Sequence, residues 1–332
     1  MTAKAKLVLH LQKAYLAKGL PPHHFDNFLM VFKCLKEVYP AINFVQVLNA
    51  TKRADLGNPR RSVFVMRPPE WIKNNVTECA KALGIPTADF ICAALKQPTI
   101  FLHNPVTLKA RIQESAILLG MKKAAFVNIA LKHPSLFYYA PQKLLENITH
   151  SASNLGISIQ NCVEIASRKP TWFTSKPETL ENNLNEIISL IEVEKTLFLK
   201  AVARQPSLLT HNPATLKAHI ENAAKALGLT RETFIGIAMK QPSLFCNSPS
   251  TLGAKLSLLD AFVRAVDPSR ITQDFIVQYP VSLTYAPDRL RARTRLAAVF
   301  NGLGPNALLS LSEAKVTQKL KHFSQATPAT LQ

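Results

Sequence analysis

Apolar side chains in this chain fall into short blocks at helical spacing, punctuated by prolines and glycines. After Asn212, the residues Leu216, Ile220, Ala223, Ala224 and Leu227 keep the interval that places them on one helix face. Asn212 suits an N-cap, and Pro213 suits the first helical position, where its missing N–H costs no hydrogen bond. Gly228 suits the end of that helix, where a positive φ is needed. Thr230 then opens a second block carrying Phe234, Ile235, Ile237 and Ala238. Pro242 ends it, because a residue before proline avoids the α region. Ser243, Leu244 and Phe245 predict a short 3₁₀ turn that tucks its apolar pair inward.

The same pattern recurs. Lys240-Gln-Pro-Ser-Leu-Phe has counterparts beginning at Lys96, Lys132, Arg168 and Arg204. The first proline of each copy falls at 98, 134, 170, 206 and 242, a step of 36 residues, and a second proline follows seven residues later. Pro280 and Pro287 mark a degenerate copy after a two-residue insertion, and Pro69 a worn first copy with Ser62 at the other proline position. The helix-ending glycine recurs as Gly84, Gly120 and Gly156, with Glu192 in the fourth copy. A fixed period of this length predicts stacked supersecondary units. No long stretch alternates with period two, so the expected fold is all-α: an α-solenoid of about six or seven helix pairs. Residues 1–60 are expected to form an N-terminal helical cap with helices over 3–18, 25–39 and 42–52. Residues 61–303 carry the repeats, closed by a helix over 288–300. Residues 304–332 hold one more helix, over 308–323, and a disordered tail.

Charge narrows the partner class. Lysine and arginine number 40 against 21 acidic residues, a net +19, which makes polyanions the default partner. The five cysteines, Cys34, Cys79, Cys92, Cys162 and Cys246, stand singly on apolar stretches and suit buried thiols in a reducing compartment, a bacterial cytoplasm or an organelle. No apolar run reaches the length of a membrane span. Lys4, Lys6, Lys13 and Lys18, without an acid among the first 25 residues, match the charge of an organellar presequence, but arginine is missing and serine is scarce. The alternative is an amphipathic first helix with Leu7, Val8, Leu11 and Tyr15 inward.

Two residues before the first proline stands a basic column: Lys96, Lys132, Arg168, Arg204 and Lys240. Two readings are open. A cation in the last turn of a helix complements the macrodipole. Alternatively, the five form a ladder of charges that follows a phosphate backbone. Further basic groups lie at Arg289, Arg291, Arg293 and Arg295 on the closing helix, and at Arg60, Arg61, Arg67 and Lys73 near the start. Together with the ladder they predict a continuous basic track. A variable column two residues before the second proline holds His103, Tyr139, Ser175, His211, Asn247 and Tyr285. It reads either as exposed positions that drift, or as side chains that read or stack on bases. His103 and His211 stand three repeats apart, too far for a shared metal.

The chain lacks GxGxxG, GxxxxGK[ST], HExxH and CxxC, and only ten glycines are present, several committed to helix ends. No enzyme and no cofactor are expected. The succession of Pro-Ser-Leu-Phe, second proline, Thr-Leu, amphipathic helix, Leu-Gly-Leu and a second helix ending in a cation resembles the mitochondrial transcription termination factor (mTERF) repeat over residues 62–300. Pro206 to Pro242 is the closest copy. The resemblance implies a left-handed superhelix of helix pairs with short 3₁₀ helices. It also implies binding of double-stranded DNA, or of RNA in some members, through a basic concave groove, and it makes Lys96, Lys132, Arg168, Arg204 and Lys240 backbone contacts. The expectation is a monomeric nucleic-acid binder, duplex DNA favoured over RNA, in transcription termination or gene-expression regulation. The rival is a scaffold holding an acidic protein partner in its groove.

Overall fold

The structure, a computed structural model, describes residues 3–55, 64–297, 305–312, 314, 315 and 318. Among the described residues there are helices and no strand, as the periodicity predicts. The chain divides into two compact units, residues 1–177 and 178–332.

The first unit opens with α1 (Ala3–Leu16), α2 (Phe25–Val38) and α3 (Phe44–Asp55). It continues with the pairs α4 (Pro69–Leu83) and α5 (Thr87–Lys96), α6 (Pro105–Leu118) and α7 (Lys123–Lys132), and α8 (Pro141–Leu155) and α9 (Ile159–Arg168). In the second unit, α10 (Pro177–Ile191) pairs with α11 (Lys195–Arg204), α12 (Pro213–Leu227) with α13 (Arg231–Lys240), and α14 (Pro249–Val266) with α15 (Thr272–Gln278). Then come α16 (Pro287–Ala297) and α17 (Pro305–Ser310). Each unit stacks its long helices in one row and its short helices in another: α2, α4, α6 and α8 pack in sequence, as do α12, α14 and α16, while α5 lies on α7 and α11 on α13.

Both prolines of the repeat start elements. The second proline begins a long helix, and the first begins a 3₁₀ turn such as Pro170–Phe173 or Pro242–Cys246. Asn212 accepts from the backbone N–H groups of Ala214 and Thr215, and Thr230 from that of Thr233, so both expected caps form. Each turn drives two large side chains into the core. Trp172 and Phe173 are fully buried, as are Leu136 and Phe137 one period earlier. Phe137 meets Phe90, and Phe173 meets Phe126, in edge contacts of 6.5 and 6.3 Å, so each turn packs on the short helix of the preceding repeat.

A polar column in the long helices holds these turns in place. Asn147 donates to the carbonyl of Phe173 at 2.9 Å, and Asn183 to that of Leu209 at 2.8 Å. Asn75 donates to the carbonyls of Phe101 and His103 at 2.9 and 3.0 Å. Lys255, at the same repeat position, donates to Leu283 at 2.8 Å. Because each turn is short, its buried carbonyls lack helical partners, and a side-chain donor at this position in four of the copies satisfies some of them.

Gly228 ends α12 at φ 65°, the left-handed region glycine enters freely. Glu192 occupies the matching position after α10 at φ 55°. A side chain there carries backbone strain. Glu192→Gly should therefore raise stability by about 1 kcal/mol, read as a higher urea midpoint at unchanged m-value.

Three expectations shift. Leu7 of α1 is 58% exposed rather than inward, whereas Tyr15 is buried as expected. The closing helix α16 begins at Pro287, and residues 298–300 lie outside the described residues. α17 begins at Pro305, ahead of the expected 308, and ends at Ser310, with residues 311 and 312 outside any helix; half of the expected 308–323 span, with the tail, lies outside the described residues.

Candidate nucleic-acid interface

The repeat sets the backbone under the basic column. Lys96, Lys132, Arg168, Arg204 and Lys240 are the last residues of α5, α7, α9, α11 and α13. The next residue always leaves the helix at φ between −125° and −134°, because a proline follows it. All five side chains are exposed. Among the described residues, none of the five lies in an ion pair. Three belong to the first unit and two to the second.

Arg204 has a second task. Its guanidinium donates to the carbonyls of Lys240 and Met239 at 3.0 and 2.9 Å, closing the C-terminus of the next short helix, α13. Arg53 does the same for α5 through the carbonyl of Leu95 at 2.7 Å. Cations thus do compensate helix ends here, but the arginines do so on a neighbouring helix.

The field around the column is positive. His133 is half-buried, next to Lys132 in sequence. Burial holds its pKa below the usual 6.5, and the charges of Lys169 and Lys96 push the same way. Burial also depresses His103, helped by Arg111. It depresses His219 too, against a hydrogen bond to the Leu244 backbone and with the help of His211. A depressed histidine pKa means that the folded chain binds protons less readily than the unfolded chain. This stabilising contribution is complete above pH 6.5 and is lost as pH falls below it. The urea midpoint should therefore decline from pH 6.5 to about 5. A phosphate lying on Lys96 and Lys169 would raise the His133 pKa, so polyanion affinity should strengthen over the same interval. His133→Gln should remove that strengthening.

The other basic residues divide. Arg60 and Arg61 lie outside the described residues. Arg67 sits over the Trp71 ring at 5.5 Å, and Lys73 is paired with Glu37. On α16, Arg295 is exposed, and Arg291 is ion-paired to Asp288 at 2.8 Å. Arg293 departs from the sequence expectation. It is fully buried and donates to the carbonyl of Leu311 at 2.5 Å. Arg289 is half-buried, donates to the carbonyl of Leu309 at 2.8 Å, and stacks on Tyr285 with 4.2 Å to the ring centroid. These two arginines tie α16 to residues 309–311, which is not a placement for gripping phosphate.

The variable column ends the 3₁₀ turns. His103, Tyr139, His211, Asn247 and Tyr285 are all half-buried. The His103 carbonyl accepts from Asn75, His211 lies 3.6 Å from the Cys246 sulfur, and Tyr285 lies under Arg289. These positions are partly committed to packing. Burial also pushes the thiols of Cys79 and Cys162 up to about 12, leaving them unreactive.

A second basic column escaped the sequence reading. Lys123, the first residue of α7, donates to the carbonyl of Ala82 at 3.3 Å, and Arg231, the first residue of α13, donates to that of Leu190. Donors and acceptors are each three periods apart, so the 36-residue register alone would have revealed them.

No curated protein matches this chain. The sequence model of the mTERF family matches residues 91–314, most of the chain and nearly all of the paired helices. With its helix pairs, intervening 3₁₀ turns and proline register, the chain belongs to the mTERF family, whose members are helical-repeat proteins that bind nucleic acid in gene expression.

Proposed function

We propose that this chain binds duplex DNA in preference to RNA, as a monomer, and acts in transcription, including its termination. The observation that carries this reading is the column Lys96, Lys132, Arg168, Arg204 and Lys240, exposed at one repeated backbone break and without ion pairs among the described residues. Packed helices lie about 8–10 Å apart, which is two to three nucleotide rises of about 3.4 Å along one strand. Within each unit the column therefore offers a cation every few nucleotides. Arg295 adds a further exposed cation on α16. A net charge of +19 favours long-range capture of a polyanion. The contacts assigned to phosphate carry no sequence information, so they predict affinity that is steeply salt-dependent and weakly sequence-dependent.

No helix among the described residues is long and apolar enough to cross a membrane, and all five cysteines are free thiols. Both fit work inside a bacterial cytoplasm or an organelle. Fluorescence anisotropy of labelled duplex DNA and single-stranded RNA across a salt series tests the proposal. Tighter binding of the duplex supports it; tighter binding of RNA reverses the preference, and binding of neither at low salt removes it.

A further inference from the structure

The second unit has a roomy cleft between α11 and α13. It holds about 700 Å³. A cleft between α3 of the N-terminal cap and α5 in the first unit holds about 270 Å³. On one wall the repeat positions match: Cys92, Leu95 and Lys96 of α5 in the small cleft correspond to Gly236, Met239 and Lys240 of α13 in the large one. Across the repeats the first of these positions reads Cys92, Asn128, Glu164, Lys200 and Gly236. Glycine is a poor choice in the middle of a helix. Nothing in the fold asks for it, since a Cβ at Gly236 would meet no atom within 4 Å. Its effect is open space. A second departure from the repeat lines the same cleft, the strained Glu192 where other copies carry glycine.

The walls combine two chemistries. Ile191, Val193, Leu197, Ile235 and Met239 are apolar, and Leu197 remains 49% exposed. Four cations and two carboxylates complete the lining. Arg231 is held by Glu232 at 3.8 Å and by the Leu190 carbonyl, and Arg204 by the end of α13. Lys200 and Lys240 are exposed and lie in no ion pair among the described residues. A cavity of this size with an apolar wall and a few converging charges has the make-up of a small-molecule site.

We infer that this cleft binds a small amphiphilic anion, its alkyl or aromatic body on Leu197, Ile235 and Met239 above Gly236, and its carboxylate or similar head group on Lys200 and Lys240. The inference stands apart from the nucleic-acid reading, although Lys240 serves both, so the two ligands compete for that side chain.

The test uses the full chain with 8-anilinonaphthalene-1-sulfonate as probe. One saturable site is expected, displaced by decanoate but not by decylamine and only weakly by decanol. Gly236→Leu fills the void and should weaken the probe by at least about tenfold. The same change should raise Tm by about 2 °C, since it removes a mid-helix glycine. Lys200→Gln with Lys240→Gln should weaken decanoate about tenfold through loss of charged hydrogen bonds while leaving decanol unchanged. Absence of a saturable site, displacement by decylamine or decanol as strong as by decanoate, or unaltered probe binding in Gly236→Leu would each overturn the inference. Duplex binding by Gly236→Leu should match the unaltered chain at every salt concentration, so failure here leaves the nucleic-acid proposal intact.

Discussion

Replacing Lys96, Lys132, Arg168 and Lys240 together by glutamine should flatten the dependence of log affinity on log salt by about 3.6 units, nearly one for each phosphate left without its cation. At 0.1 M salt the same arithmetic weakens duplex binding by on the order of 10³-fold. Arg204 is left in place because it donates to the carbonyls of Lys240 and Met239, and its removal would open the end of α13. The competing account of the column is compensation of the helix dipole, worth about 0.3–1 kcal/mol per cation. That account predicts a fall in thermal stability that shrinks as salt is added, with an unchanged salt slope for binding. The two quantities are separable in one variant: anisotropy titrations from 50 to about 300 mM salt give the slope, and melts in the same buffers give the stability. A slope that stays put while Tm drops assigns the four side chains to the helix ends.

Legibility in the sequence followed the range of the interaction. Caps and breaks depend on residues a few positions apart, so Asn212, Thr230, Gly228 and the prolines announced their roles directly. The exposure of the basic column was also readable, because a cation two residues before a helix-breaking proline sits at a helix end. What stayed hidden depends on a neighbouring repeat or a later segment. Arg289 and Arg293 do share a face, as their spacing implies, but residues 309–311 fold onto that face and turn both into donors to backbone carbonyls. Arg204 reads from sequence either as a compensator of α11 or as a phosphate contact, yet its hydrogen bonds lie on α13. The Asn75, Asn147 and Asn183 column, though periodic, drew no notice because a lone asparagine in a helix reads as surface until the buried carbonyl it serves is located.

Phe173→Ala should be among the costliest single changes in the first unit, destabilising it by about 4 kcal/mol in urea unfolding. Phe173 is fully buried, and it meets Phe126 of the preceding repeat at 6.3 Å. Truncation empties a close-packed site at the joint between two repeats, where backbone held by Asn147 limits collapse. In a repeat array each unit leans mainly on its neighbours, so a void at that joint weakens two repeats together. Phe173→Leu is the informative control. The next copy of the repeat carries Leu209 at this position, equally buried, with Asn183 donating to its carbonyl at 2.8 Å just as Asn147 donates to Phe173. A copy of the turn thus buries leucine here under the same side-chain donor, although its 3₁₀ turn runs one residue longer, and the expected loss is only about 1 kcal/mol, the cost of a smaller side chain of similar character. Equal losses for alanine and leucine would mean that the aromatic edge contact with Phe126, rather than filled volume, stabilises the joint.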